Sequence, residues 1–332
     1  MTPLAPHITA FLRERLPLQR GASENTCDTY AYAFKLFFEY AAERLRMAPS
    51  DLQVEHLDAP MVLDFLAFLE TERGNCPATR NARLAAIKSF MHFLEYRIPA
   101  ILEQSRRVLA IPVKKTEVTL VKHLTIEEME VILNTPDPRT RYGIRDRAML
   151  HMCFSAGMRV SELVSLPMSA VTLHSNPSVR IIGKGRKERI LSLWKETARD
   201  IRAWIAVRGN TPAQELFLNA RGQPMTRSGF EYILRKHVKT AVPKCPSLSG
   251  KEVFPHALRH TCAMTILQAT NDIRKVSLWL GHASIQTTQA YLRADPTEKL
   301  EAIESVIPLN LRQGRFRATD KLISSLQAKG LC

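Results

Sequence analysis

Six side chains in four separated segments have the types needed to act on a phosphodiester. Arg159 stands in Ser155-Ala-Gly-Met-Arg-Val-Ser-Glu-Leu, directly after a Gly-Met step and ahead of an amphipathic stretch. Lys184 lies at the glycine-flanked turn of Ile181-Ile-Gly-Lys-Gly-Arg-Lys-Glu-Arg-Ile-Leu-Ser-Leu. His256 and Arg259 are three apart in Pro255-His-Ala-Leu-Arg-His, a spacing that puts them on one helix face. His282 follows Gly281, which reads as a helix stop, and Tyr291 comes after it in Leu280-Gly-His-Ala-Ser-Ile-Gln-Thr-Thr-Gln-Ala-Tyr-Leu.

Taken singly, each has an ordinary reading. An arginine at a helix start is a surface charge, a basic hairpin is a solvated one, and a tyrosine on an apolar helix is a packed aromatic. Taken together they fit metal-free phosphodiester transfer. An oxygen attacking a DNA phosphodiester makes a pentavalent species with extra negative charge, which cations must stabilise. Arginine suits that task, because its planar fork donates to two phosphate oxygens and stays charged. A tyrosine hydroxyl ordinarily ionises near pH ~10 and needs help at neutral pH. The two arginines and His256 are expected to give that help once phosphate is bound. His256 and His260 lie at i, i+4 with Cys262 nearby, which suits zinc geometrically. The segment lacks the Glu of HExxH, however, and no third ligand is evident. Nor do these segments hold the acidic cluster of a two-metal nuclease. No metal and no cofactor is expected.

The four segments resemble, in order and spacing, the signature boxes of the tyrosine recombinases, the phage-integrase-like enzymes. The similarity covers residues 125–295 and extends loosely to helical stripes nearer the N-terminus. The resemblance implies that Tyr291 attacks the scissile phosphate, forming a 3′-phosphotyrosyl bond and releasing a 5′-hydroxyl. It implies that Arg159 and Arg259 clamp the non-bridging oxygens with His282 beside them, that His256 assists proton transfer at the tyrosine, and that Lys184 protonates the leaving oxygen. Glu162 and His260, in the same boxes, are expected to support these groups. The covalent bond keeps the phosphodiester energy, so rejoining needs no ATP. The implied fold is mainly α with a small β-hairpin or sheet: a helical, SAM-like core-binding domain followed by a tyrosine-recombinase catalytic domain. The implied partners are double-stranded DNA and the protein itself, four protomers on two paired sites, with a related recombinase as a further candidate.

Two other classes compete. A type IB topoisomerase shares the chemistry, but the separate N-terminal helical domain and the residues after Tyr291 favour strand exchange. A non-catalytic DNA-binding accessory protein needs the fold but not the chemistry, and all six matched positions are intact. The resemblance does not separate integration, dimer resolution and inversion; a recombinase of a mobile element or plasmid is the expectation adopted.

These residues need a scaffold, and the apolar pattern supplies one. Ile8, Phe11, Leu12 and Leu16 form one helical stripe, and Tyr30, Phe34, Phe37, Phe38, Ala41 and Leu45 a stronger one. Asp58-Ala59-Pro60 reads as a helix start before Val62, Phe65, Leu66 and Leu69. A fourth stripe holds Leu84, Ile87, Phe90, Met91 and Leu94, interleaved with Arg80, Arg83 and Lys88 as candidate phosphate contacts. From Pro99 to Lys122 there is little periodicity and many basic residues, including Lys114 and Lys115, which are further DNA-contact candidates. The predicted division is a DNA-binding domain over 1–107, a basic linker over 108–122, a catalytic domain over 123–307 and a tail over 308–332. Thr125 and Glu128 form a capping-box pattern at the catalytic domain's start. Two β-branched runs flank Gly183-Lys184-Gly185 and predict a hairpin. In the tail, Leu322, Ile323 and Leu326 suggest a short helix, packed either on its own domain or on a neighbouring protomer.

The bulk properties agree with a DNA partner. The 332 residues carry a net charge of +15, and the pI is 9.8; such a surface attracts polyanions. The six cysteines show no CxxC or clustered spacing, which fits a reducing cytoplasm and not a disulfide framework. The first twenty residues mix charges with apolar positions, so neither a secretory leader nor a membrane span is expected.

Overall fold

Two large hydrophobic clusters organise the computed structural model, which describes residues 2–116, 123–183 and 188–282 together with Thr288, Gln289 and Tyr291. They belong to two units, residues 1–118 and 119–332. Lys184 and the tail residues Leu322, Ile323 and Leu326 lie outside the described residues.

The first unit is helical. Helix α1, Leu4–Ala10, runs on as a wider helical stretch over Phe11–Gln19. It is followed by α2 (Glu24–Leu45), α3 (Ala59–Thr71), α4 (Pro77–Glu95) and α5 (Leu102–Leu109). The α3 start forms as its sequence predicts, with Asp58 accepting from the Met61 amide at 2.9 Å and Pro60 in the first turn. Phe11, Phe34 and Phe90 meet in edge-on contacts at 5.2–5.9 Å, the geometry that ring quadrupoles favour. The predicted α3 and α4 stripes are buried throughout, whereas Leu45, at the end of the α2 stripe, is exposed.

The structure departs from the predicted linker at its N-terminal end. Residues 102–109 form α5, and Ser105, Val108 and Ile111 are sealed into this unit's core. Two turns are too short to show periodicity, and a serine on the inner face with Arg106 and Arg107 beside it hides the apolar side. Side chains of α4 then fasten the chain beyond α5. Lys88 Nζ donates to the carbonyls of Leu109 and Ile111, both at 2.6 Å, Arg80 Nη1 donates to that of Pro112 at 3.0 Å, and Asn81 clasps the Lys114 backbone.

The second unit surrounds α7 (Arg141–Ser155), where Ala148, Met149, Leu150, Met152 and Cys153 are wholly buried. It packs on α6 (Ile126–Leu133), on the short α8 (Val160–Val164), on α9 (Lys195–Arg208) and on α11 (Pro255–Thr270). Helices α10 (Arg227–Ala241) and α12 (Ile273–Leu280) also belong to it. The Thr125–Glu128 capping box forms in both directions, and Glu128 also receives Lys251 Nζ at 2.7 Å. A buried chain of charge joins α7 to α10: Arg145 donates to Asp146 at 2.7 Å, and Asp146 meets His237 Nε2 at 2.9 Å. Arg145 and Asp146 are thus paired where both are buried, as low dielectric demands.

The predicted hairpin is β2 (Ser178–Ile182) antiparallel to β3 (Glu188–Ser192), with Val179 opposite Leu191 and Ile182 opposite Glu188. Val179, Ile181 and Leu191 face the core, while Ile182 and Ile190 point outward. A two-residue strand, β1 (Val171–Thr172), extends this into a three-stranded antiparallel sheet. Two residues are too few to show alternation, so β1 had no sequence signal. Among the described residues, no helix is long and apolar enough to cross a membrane.

Candidate active site

Two left-handed glycines bring the chemical segments together. Helix α7 ends at Gly157 (φ 55°), where a Cβ would sit 2.6 Å from Leu280 Cδ2 and 3.2 Å from Cys262 Sγ. Only glycine allows this turn to press against both α11 and α12. Gly281 (φ 62°) ends α12, and a Cβ there would meet the Arg189 side chain at 3.0 Å. The turn carrying Arg159, the turn carrying His282, and strand β3 are thereby held together.

Arg259 locks the arrangement from below. Only 3% exposed, its guanidinium donates to the carbonyl of Gly157 and, at 2.7 Å, to that of Leu280. Two of its five N–H donors are thus spent on the two turns, leaving three. Burial and the nearby Arg159 push its pKa down to about 10, so it remains cationic at neutral pH.

Arg159, half-buried, starts α8. Its amide donates to Glu162 Oε2 at 3.0 Å and its Nη1 to Oε1 at 2.8 Å. Glu162 also receives Arg189 from β3, at 2.7 Å between Nη2 and Oε2. Burial alone would raise the Glu162 carboxyl, but Arg189 foremost, and then Arg159, hold it below the ordinary carboxylate range. Sequence pattern gave Glu162 a supporting place but missed Arg189. The signal was present, since Arg189 shares a face of β3 with the core-facing Leu191, yet a basic residue in a basic hairpin reads as solvated.

Three histidines and the tyrosine complete the cluster. His282 Nδ1 lies 2.7 Å from Thr288 Oγ1, a wholly buried hydroxyl. Burial, and after it Arg259 and Arg159, lower the His282 pKa to about 4. His256 is exposed at the mouth, and burial of part of its ring together with Arg259 and Arg159 keeps its pKa below the ordinary value. Tyr291, 3% exposed, packs with Ala263, Met264, Leu267, Val276 and Leu280. Its ring is parallel to that of His282 at 6.4 Å. Burial raises the Tyr291 pKa, and Arg259 works against that rise.

The boxes imply proton transfer at the tyrosine for His256 and a supporting place for His260. In the structure His260 Nδ1 lies 2.9 Å from Tyr291 Oη. One further helical turn, from position 256 to 260, carries the imidazole from the mouth down to the hydroxyl. Cys262, the other neighbour considered for zinc, points its thiol to the Ser155 carbonyl at 3.9 Å.

Of the candidate catalytic residues, Arg159, His256, Arg259, His282 and Tyr291 therefore share one site. Among the described residues, the three guanidiniums of Arg159, Arg189 and Arg259 accompany the one carboxylate of Glu162, so positive charge is in excess there even with the imidazoles neutral. Such a pocket suits a phosphate diester on its way to a more negative transition state.

The DNA-contact candidates of the first unit fare unevenly. Arg80 is 4% exposed, and it and Lys88 are committed to the backbone beyond α5 rather than facing outward. Arg83 lies over the Tyr32 ring at 4.9 Å, Lys114 pairs with Glu70 at 2.7 Å, and Lys115 is exposed.

Comparison with known proteins agrees with this geometry. Residues 122–298 match the phage integrase family model, and residues 8–97 match the N-terminal SAM-like domain of phage integrases. The protein y4rC of Sinorhizobium fredii, named as an integrase/recombinase, is 40% identical over 98% of both chains. The tyrosine recombinase XerC of Pelobacter propionicus is 33% identical over 93% of this chain and 97% of its own. Among solved structures, the XerH site-specific recombinase bound to a palindromic difH substrate superposes with a TM-score of 0.67 at 23% identity, covering 86% of this chain and 81% of that one. The chain belongs to the phage integrase family, the tyrosine recombinases, and is an enzyme of site-specific DNA recombination.

Proposed function

We propose that Tyr291 attacks a DNA phosphodiester from the pocket formed by Arg159, Arg259, His256 and His282. The observation that carries this reading is the burial of the Tyr291 hydroxyl beside that excess of positive charge. Arg159 and the unspent donors of Arg259 take the non-bridging oxygens, and His282 adds a hydrogen bond to them. His256, at the mouth, faces the same phosphate. Lys184, on the hairpin turn, gives its proton to the departing 5′-oxygen. The 3′-phosphotyrosyl bond preserves the ester for the reverse attack, so neither metal nor ATP is consumed. The two units each contribute to holding duplex DNA, with Arg83, Lys114 and Lys115 the first unit's candidate backbone contacts.

The working assembly is four protomers on two paired sites in the cytoplasm, on DNA of a mobile element or plasmid. The second unit offers a seat for a neighbour's 308–332 tail. A groove of about 750 Å3 between β3, α11 and α12 is lined by Ile190, Trp194, Ile266, Ala269, Leu278 and Trp279. Leu278 and Ile190 on its rim are 76% and 69% exposed, and Leu322, Ile323 and Leu326 supply a matching apolar stripe.

The reading is tested with purified protein, supercoiled DNA carrying the flanks of its own gene, and EDTA, quenched with SDS. A covalent protein–DNA adduct from the wild type and none from Tyr291→Phe is the expected result. Sequence-selective binding by both with no adduct from either contradicts it and favours an accessory role.

A further inference from the structure

We propose that His260 is the proton acceptor for Tyr291: as the phenolic oxygen attacks phosphorus, its proton passes to His260 Nδ1. The proposal rests on Tyr291 being the nucleophile and adds the group that activates it.

The geometry comes first. Nδ1 and Oη are 2.9 Å apart, within the range for direct transfer. The rings are tilted by 59° with centroids 5.7 Å apart, so the contact is through the ring edge and not by stacking. A neutral imidazole has one acceptor and one donor nitrogen, and with its hydrogen on Nε2 it presents a lone pair to the hydroxyl. His256 lies a helical turn away at 5.8 Å between centroids and is exposed at the mouth. One helix thus divides the labour. Position 256 faces incoming phosphate, 259 clamps it, and 260 reaches the nucleophile from behind.

The surroundings keep His260 ready to accept. His256 and Arg259 face it from its own helix, His123 from the segment before α6, and Tyr291 and His282 from across the pocket. Burial, then His256, Arg259 and His123, hold its pKa at about 4, so it is unprotonated at neutral pH. Tyr291, whose own ionisation burial opposes, needs such an acceptor. The growing negative charge on the pentavalent phosphate is what makes the imidazolium tolerable, tying proton transfer to the presence of DNA. In the step, the Oη–P bond forms and the P–O5′ bond breaks. One proton moves from Oη to His260, and another moves from Lys184 to O5′. Rejoining reverses each movement, with His260 returning its proton to the departing tyrosine.

The test begins with a library of duplex fragments of the source genome, from which wild-type protein recovers sites as SDS-stable adducts in EDTA. Recovery of none, or equal recovery by Tyr291→Phe, would overturn the nucleophile reading and this proposal with it. On a recovered site, single-turnover adduct formation is followed from pH 6 to 9 for wild type and His260→Asn. Asparagine retains a hydrogen bond to the hydroxyl but cannot take its proton. The expected result is a flat wild-type profile, and for His260→Asn a loss on the order of 10²-fold at pH 7 with a rate rising about tenfold per pH unit as tyrosinate accumulates. DNA binding by the variant stays close to that of wild type. A His260→Asn profile parallel to wild type would overturn the proposal while leaving Tyr291 as nucleophile.

Discussion

Arg189 and Glu162 are joined by two hydrogen bonds, the shorter 2.7 Å between Nη2 and Oε2, in a pair whose side chains are only 8% and 5% exposed. This pair ties β3 to the carboxylate that also binds Arg159. On the proposed mechanism Arg189 is accordingly expected to act as a positioning residue. Removing one partner from a buried ion pair typically costs about 3–5 kcal/mol. Arg189→Ala should therefore lower the urea midpoint clearly. It should also slow cleavage with little change in DNA affinity, whereas a purely structural role would leave the residual folded enzyme at wild-type rate.

Arg159 and Arg259, proposed to clamp the phosphate, should separate in stability but not in chemistry. Loss of either should slow adduct formation on the order of 10²–10³-fold, by analogy with oxyanion-site donors. Arg259 also bonds the Gly157 and Leu280 carbonyls, so Arg259→Ala should melt at a lower temperature. Arg159→Ala should melt near wild type. Equal melting points would contradict the locking role assigned to Arg259.

Acid should weaken the fold in two windows. His260 and His282 have folded pKa values of about 4 against an ordinary 6.5, so the unfolded chain takes up their protons first. Their contribution is complete above pH 6.5 and is lost progressively down to about pH 4. Glu162, lowered from 4.5, adds a further loss that begins as the pH falls through 4.5 and continues toward its lower folded value. Urea midpoints measured from pH 7.5 to 4.5 should fall for wild type and fall less for His260→Asn.

Lys88 and Lys115 make a contrasting pair in the first unit. Lys88→Met strands the Leu109 and Ile111 carbonyls and should lower stability while leaving the salt dependence of DNA binding unchanged. Lys115→Ala should leave melting unchanged. If this exposed residue meets a phosphate as proposed, the salt slope should fall by about one.

Much of this was legible in sequence because the deciding information was local. The α3 cap at Asp58, the Thr125–Glu128 box, the β2–β3 alternation and the four apolar stripes each depend on neighbours within a few positions. The boxes likewise named five side chains that lie together, those of Arg159, His256, Arg259, His282 and Tyr291, while Lys184 lies outside the described residues. What sequence concealed was long-range. Arg189 reads as a solvated hairpin charge until Glu162 is placed beside it, and Lys88 as a phosphate contact until α5 folds back onto α4. That His260 Nδ1 lies against Tyr291 Oη depends on where Tyr291 enters, which no spacing within α11 reveals.

The central claim is tested most directly by locating the covalent bond. Wild-type adduct, quenched in SDS during cleavage, is digested with nuclease and trypsin, and the modified peptide is sequenced by mass spectrometry. The account predicts a single nucleotide esterified through its 3′-phosphate to Tyr291. A nucleotide on any other residue, or a 5′-phosphate linkage, would contradict it.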